Sequence, residues 1–302
     1  MKFHQISAFE AVTRAGGIRA AARTLGLTQS AITKAIRELE AEAGVSLLLR
    51  SARGVVLTES GRQLAARAHL LVEQMRAAQD DIRQLNAGTG GKLVVGLTPT
   101  IIETVLSEII RHFRTRMPGV RLVIHEASLP GSLPDIRDGT FDLAVVGAGR
   151  EPATASDLAC EFLLSVNKRI ALRRGHPLAG IRDPAELADA VWVLPQEPSD
   201  PSDPMHAFMQ EAGLAMPPKL VECVSLPATV SIIANSDMVS ALPEPLIDQP
   251  HVASRIVSLA FEQKLQPSRY WLLRRSAVPL SPAALFMCDL LRTYSKDIKD
   301  KR

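Results

Sequence analysis

Residues 18–42 read IRAAARTLGLTQSAITKAIRELEAE, and they decide the fold of the N-terminal part of the chain. The stretch spells two short helices joined by a tight turn. The first runs from about Ile18 to Leu25 and carries Ala20, Ala21, Ala22 and Leu25. Gly26 permits the turn and Leu27 is expected to anchor it in the core. Thr28 is placed to cap the next helix, its hydroxyl accepting from an otherwise unpaired amide of the first turn. In that helix Ala31, Ile32, Ala35, Ile36 and Leu39 fall at the spacings of one buried stripe. Gln29, Ser30, Thr33, Lys34 and Arg37 remain outside it, near the N-terminus, where a recognition helix offers side chains to base edges and phosphates. Most polar faces of amphipathic hairpins are simply solvated, so the DNA-reading assignment rests on three neighbouring features.

The first is residues 46–57, SLLLRSARGVVL, an apolar edge alternating with Arg50 and Arg53. This pattern predicts a two-stranded wing with a basic tip near Arg53 and Gly54, where arginines pair with phosphates and fix register without reading sequence. The second is Thr58-Glu59-Ser60-Gly61, a helix start with Thr58 as its cap. The third is the helix that follows. Leu64, Ala68, Leu71, Met75, Ala78, Ile82 and Leu85 recur at alternating spacings of four and three, a heptad seam that packs against a partner helix. Packing on its own domain is the alternative use of such a stripe. Two-fold pairing would set the spacing of two DNA half-sites.

These residues resemble the N-terminal module of LysR-type transcriptional regulators. The matching positions are Phe9, Ala15 to Ile18, Ala20 to Ala22, Leu25, Thr28 to Thr33, Ile36, Leu39-Glu40, Gly44-Val45, Leu47-Leu48, Arg50, Gly54, Leu57-Thr58 and Gly61. Family members commonly read Ser-Gln-Pro-Ala-Leu-Ser where this chain has Thr-Gln-Ser-Ala-Ile-Thr, so Ser30 replaces a proline that would pre-set the first helical turn. The resemblance implies DNA contacts from Gln29, Thr33 and Lys34, with Ser30, Arg37, Arg50 and Arg53 completing the candidate face.

Whole-chain numbers agree. The chain has 302 residues, 46% hydrophobic content and a formal net charge of +3, which suits two or three globular domains. Residues 1–87 hold 12 Lys or Arg against 8 Asp or Glu, so the positive excess lies there, although charge alone would not have revealed a nucleic-acid partner. The opening MKFHQI has no apolar signal-peptide core and no run approaches the length of a membrane span. Cys160, Cys223 and Cys288 are odd in number and widely spaced, which suits free thiols. The expected location is the cytoplasm, with no membrane partner.

Asn86 to Gly91, with three glycines in six residues, reads as a joint. Beyond it strands are expected at Lys92 to Leu97, Val120 to His125, Phe141 to Val146, Phe162 to Leu172, Val191 to Leu194, Leu220 to Cys223, Met238 to Leu242 and Arg269 to Arg274. Helices are expected at Ile101 to Arg116, Leu133 to Arg137, Met205 to Ala212, Pro227 to Ala234 and Ala283 to Ser295. Such alternation indicates a mainly parallel α/β sheet with helices on both faces.

The resemblance extends over this part. It implies an N-terminal all-α winged helix-turn-helix with a long linker helix, followed by an α/β effector-binding domain of two periplasmic-binding-protein-like subdomains. The expected boundaries are 1–57 for DNA binding, 58–86 for the dimerising helix, 87–91 for the hinge and 92–302 for effector binding. Subdomain I would hold about 92–162 and 269–302, and subdomain II about 163–268. In such folds the ligand sits in a cleft at strand carboxyl ends. The loop Thr98-Pro99-Thr100 offers two hydroxyls and helix N-terminal amides to an anion, although Thr98 could serve only as a helix cap. Ser128, Gly147, Asn167, Gln196 and Ser225 end neighbouring strands and complete the candidate effector site.

The expected partners are double-stranded DNA and a small effector, a carboxylate or sulfonate. The resemblance also implies a homodimer through residues 58–86, a homotetramer built from it, and contact with RNA polymerase where the protein activates. No cofactor, metal site or enzyme activity is expected. The seven histidines are scattered, and neither HExxH nor Gly-x-Ser-x-Gly occurs. A thiol redox sensor with no small-molecule ligand is the alternative reading.

Overall fold

The computed structural model describes residues 1–51, 54–87, 90–152, 157–195, 204–217, 219–261 and 265–300. They form two compact units, the first comprising Met1–Lys92 with Pro134–Phe141 and the second Leu93–Leu133 with Asp142–Arg302. The His69 ring, 3.1 Å from the Thr140 hydroxyl and 3.1 Å from the Glu10 carboxylate, ties the short segment into the first unit.

The first unit contains α1 (Phe3–Ala15), α2 (Ile18–Leu25), α3 (Gln29–Ala43), the hairpin β1 (Leu48–Ser51) and β2 (Gly54–Leu57), and α4 (Glu59–Ala87). Its core joins Phe9 and Val12 of α1, Ala21 and Ala22 of α2, and Ile32, Ala35, Ile36 and Leu39 of α3. α1 has no counterpart among the elements expected above, although Ile6, Phe9 and Val12 repeat at helical spacing and are buried. The turn between α2 and α3 differs from expectation. Leu27 is 52% exposed, because Gly26 takes a left-handed conformation (φ 64°) and the Leu27 amide donates to the Ala22 carbonyl at 2.9 Å. Backbone geometry holds the turn, with no side-chain anchor. Ala31 is also exposed, so the buried stripe of α3 begins at Ile32.

The seam on α4 divides in two. Ala68 is buried and Leu64 packs beside it in the core of its own unit, whereas Leu71, Met75 and Ile82 are exposed. The Leu85 side chain lies outside the described residues.

The second unit is built on two five-stranded sheets. The first sheet uses β3 (Lys92–Leu97), β4 (Arg121–Glu126), β5 (Leu143–Ala148), β6 (Leu158–Val166) and β12 (Ser268–Arg275), in the spatial order β4-β3-β5-β12-β6. Helices α5 (Pro99–Thr104), α6 (Leu106–Arg116) and α12 (Pro282–Asp300) accompany it, while α7 (Ser132–Arg137) falls mostly in the segment assigned to the first unit. The second sheet uses β7 (Lys168–Arg173), β8 (Val191–Leu194), β9 (Leu220–Glu222), β10 (Met238–Pro243) and β11 (Ile256–Ser258), in the order β11-β7-β10-β8-β9. With it come a 3-10 turn at Pro184–Leu187 and helices α8 (Pro204–Glu211), α9 (Leu226–Ala234), α10 (Glu244–Ile247) and α11 (Pro250–Ala253).

Both sheets are mixed, which corrects the expectation of a mainly parallel arrangement. β3 and β5 are parallel, as are β8 with β9 and with β10. β12 runs against both β5 and β6, and β7 runs against β10 and β11. The strands at fault are those that carry the chain between sheets. A strand entering from the neighbouring subdomain arrives where the others leave, so it runs against them. The single strand expected over Phe162 to Leu172 is accordingly two, broken at Asn167. The helix expected over Ile101 to Arg116 is also two, interrupted at buried Val105 (φ −132°).

Candidate DNA-reading face and effector cleft

Thr28 precedes α3 in extended backbone and accepts the Ala31 amide at 3.2 Å, a side-chain cap on the recognition helix. Gln29, Ser30, Lys34 and Arg37 are exposed along its outer side, and Thr33 is half-buried. The Ser30 and Thr28 hydroxyls lie 2.9 Å apart, and the Thr33 hydroxyl donates to the Gln29 carbonyl at 2.8 Å. These two short side chains are therefore held against the helix. Gln29 and Lys34 project further, Lys34 pairing loosely with Glu38 at 3.8 Å. An exposed pair of that kind contributes little and leaves the ammonium able to reach a phosphate.

The wing is fastened to this helix. The Glu40 carboxylate accepts the amides of Leu47 and Leu48 at 2.8 and 3.1 Å. Thr58 caps α4 by accepting the Gly61 amide at 2.9 Å while its hydroxyl donates to the Ser46 carbonyl at 2.8 Å. Gly61 lies so close to the wing that an added Cβ would sit 2.1 Å from the Leu47 carbonyl oxygen. Arg53 lies outside the described residues, as does the side chain of Arg50 in β1.

In the second unit a cleft of about 550 Å³ opens between the carboxyl ends of strands from both sheets. Thr98, Pro99, Thr100, Ser128 and Gly147 line it from the first sheet. Among the other candidates, Ser225 caps α9 by accepting the Ala228 amide at 3.4 Å. Asn167 lines an adjoining cavity with Arg169 and Glu244, which shares Lys168 and Leu265 with the cleft, and its carbonyl accepts the Glu244 amide at 2.9 Å. Gln196 lies outside the described residues. Among the lining residues that were not anticipated are Lys168, Tyr270 and Thr229. Lys168 immediately follows the strand break at Asn167, which is the signal that could have marked it.

The hydroxyls in this cleft are not equivalent. Ser240 donates to the Val193 carbonyl at 2.6 Å and Thr229 to the Ser225 carbonyl at 3.1 Å, so both are engaged by backbone. Thr98 stands at the N-cap position of α5 yet makes no side-chain cap hydrogen bond. Its Oγ1 is buried without a partner and the residue is 5% exposed. A buried polar atom left so carries a desolvation cost unless something binds it. Thr100 accepts the Tyr270 hydroxyl at 2.9 Å, which leaves the hydrogen of Thr100 available to another acceptor. Tyr270 lies opposite Gly147 in the β5–β12 register, and burial raises its phenol above the usual range.

The three thiols are free. Burial pushes Cys160 and Cys288 up to about 11, so thiolate is scarce at neutral pH. Cys223 lines the cleft and donates to the Ser225 carbonyl at 3.4 Å.

The family profile described as "Bacterial regulatory helix-turn-helix protein, lysR family" matches residues 3–62, and "LysR substrate binding domain" matches residues 86–296. The chain belongs to the LysR family of DNA-binding transcriptional regulators. Among relatives of this LysR-type regulator, the HTH-type transcriptional regulator TdcA of Escherichia coli K12 is 26% identical over 294 residues, covering 97% of this chain and 93% of TdcA. Two solved structures share the fold of the LysR-type chain. A full-length OxyR variant from Pseudomonas aeruginosa, in which aspartate replaces a cysteine, has a TM-score of 0.69 at 23% identity, covering 97% of this chain and 95% of OxyR. Full-length CbnR complexed with its target DNA has a TM-score of 0.67 at 22% identity, covering 97% of this chain and 99% of CbnR. Among the described residues, no helix of the regulator is long and apolar enough to cross a membrane.

Proposed function

We propose that this regulator senses a small anion, a carboxylate or sulfonate, in the cleft of its second unit, and that occupancy alters its binding to DNA. The observation that carries the reading is the Thr98 hydroxyl, buried at the cleft without a partner. Thr100 offers a second hydrogen and Lys168 the charge that an anion needs. A ligand changes DNA binding only through differential affinity for two arrangements of the protein. A panel of carboxylates and sulfonates should raise the Tm of the wild type, and Thr100→Ala should abolish the shift. A wild type unmoved by every anion in the panel would contradict the reading.

Gln29 and Lys34 are the residues assigned to the duplex, Gln29 to base edges and Lys34 to phosphate. Two chains would pair through the exposed Leu71, Met75 and Ile82 on α4, presenting two recognition helices to one operator. Leu71→Glu with Ile82→Glu should yield a monomer by sedimentation while the folded unit persists. An unchanged oligomer would place the interface elsewhere.

The thiol alternative has support in one relative's name. A protein of Mycobacterium leprae called a probable hydrogen peroxide-inducible genes activator is 28% identical over 277 residues, covering 90% of this chain and 87% of that protein. The upward displacement of Cys160 weighs against that thiol as the sensor.

A further inference from the structure

We infer that Cys223 captures an electrophilic ligand in this cleft, its sulfur adding to the conjugated alkene of an unsaturated oxo-acid. The inference rests on the anion-sensing reading and adds a covalent step to it. Of the chain's three cysteines, Cys223 is the one that lines the cleft. It directly follows β9, as Thr98 directly follows β3. The two residues therefore stand at strand carboxyl ends of different sheets and line one cavity.

The thiol is held in place. The Cys223 amide donates to the Leu194 carbonyl at 2.8 Å, and the sulfur donates to the Ser225 carbonyl at 3.4 Å. That carbonyl also accepts the Thr229 amide at 2.9 Å and the Thr229 hydroxyl at 3.1 Å. Converting the thiol to a thioether therefore leaves no orphaned acceptor. Cys288 is 1% exposed, and burial pushes both Cys160 and Cys288 up to about 11, so neither competes well for an electrophile at neutral pH.

An independent observation on the first-sheet wall defines what the thiol meets. The Thr98 hydroxyl is buried there without a partner and has a hydrogen to donate. So does Thr100, whose oxygen already accepts from Tyr270. These donors suit the carboxylate of an oxo-acid whose chain then reaches across the cleft to Cys223. The cavity of about 550 Å³ has room for such a molecule. In a 4-oxo-2-enoate the ketone draws electrons from the alkene. Sulfur bonds to the carbon β to the ketone, the π bond opens, and the thiol's proton ends on the carbon α to the ketone. The addition consumes no oxidant and reverses by loss of a proton from that same carbon, so free ligand returns when its concentration falls.

The test treats the full chain with trans-4-oxopent-2-enoate, reads the intact mass and maps the modified peptide. The saturated analogue 4-oxopentanoate carries the same carboxylate but cannot add, and pent-3-en-2-one carries the alkene but no charge. We expect a single adduct, at Cys223, that Cys223→Ser removes. Dividing each rate by that of N-acetylcysteine cancels the intrinsic reactivity of the probes. On that scale the oxo-acid should modify Cys223 about tenfold faster than the enone does, because its carboxylate is held near the sulfur. Thr98→Val should remove that advantage while leaving the enone rate unchanged. The 4-oxopentanoate ion should raise the Tm of the wild type and of Cys223→Ser alike. A Tm raised by 4-oxopentanoate while the oxo-acid leaves Cys223 unmodified, or modifies Cys160 first, overturns this inference and leaves the anion-sensing reading intact. An oxo-acid no faster than the enone, together with no Tm shift from 4-oxopentanoate or any other carboxylate or sulfonate, overturns both.

Discussion

The Tyr270 hydroxyl donates to the Thr100 hydroxyl across 2.9 Å, joining two buried side chains 170 positions apart in the chain. One sits at the start of α5 and the other on β12, the strand that returns to the first sheet. The bond leaves the hydrogen of Thr100 free of this contact and able to meet another acceptor. Tyr270→Phe should cost about 1 kcal/mol of stability for the lost buried hydrogen bond. It should also weaken anion binding, because Thr100 then loses its fixed polarity. Urea denaturation of the ligand-free chain and titration with a carboxylate that raises the wild-type Tm measure the two effects separately. Unchanged affinity would mean that Thr100 does not depend on Tyr270 for its orientation.

A second prediction concerns Gly61. An alanine there would drive its Cβ to 2.1 Å from the Leu47 carbonyl oxygen, a backbone atom that also accepts the Thr58 amide at 3.0 Å. The wing and α4 must separate to accommodate it. Gly61→Ala should destabilise the first unit by about 3 kcal/mol and weaken DNA binding with it. Thermal unfolding followed by circular dichroism would show the loss, and an unaltered transition would contradict the close approach.

On the reading face, Lys34→Ala should lower affinity for all duplexes alike. Each phosphate contact adds about 0.9 to the slope of log K against log salt, so two chains should lose about 2 from that slope. Gln29→Ala should instead relax base preference with little change in salt dependence. Binding-site selection followed by salt titration distinguishes them. An unchanged selected sequence for Gln29→Ala would remove Gln29 from the reading face.

Arg292 on α12 donates to Glu161 on β6 through two nitrogens, at 2.7 and 2.8 Å. This guanidinium holds the Glu161 carboxyl below its ordinary value of 4.5. A carboxyl depressed in the folded state contributes stability above its unfolded pKa and loses it as pH falls through the folded one. The pair is largely exposed, so the contribution is small. Glu161→Gln should lower the plateau near neutrality slightly and flatten the acid limb below about pH 4.5, so that variant and wild type converge as pH falls. Denaturant midpoints across that range test the sign.

Much of the first unit was legible in sequence because its rules are local. Thr28 and Thr58 cap the helices assigned to them, and α2 spans the residues expected of it. Leu27 misled because apolar character suggested burial, while the turn it belongs to is held by backbone alone. The first-sheet side of the cleft was legible in three loops, since Thr98 to Thr100, Ser128 and Gly147 all line it. Thr98 had two readings, cap or ligand donor, and local sequence is identical for both. The placement of its hydroxyl, buried and uncapping, removes the cap reading, and the ligand-donor reading stands as a proposal. Lys168 and Tyr270 escaped notice because each reaches the cleft through a strand that crosses between sheets. That direction is set by topology and leaves no local pattern.

The central claim is that occupancy of the cleft changes how the regulator holds DNA. Footprinting of the full chain on a duplex obtained by binding-site selection, with and without a saturating carboxylate that raises the wild-type Tm, tests it most directly. The expected result is a changed footprint or affinity in the wild type, with Thr98→Val needing more anion to show the same change. Identical footprints and affinities in the wild type, while the anion still raises its Tm, would contradict it.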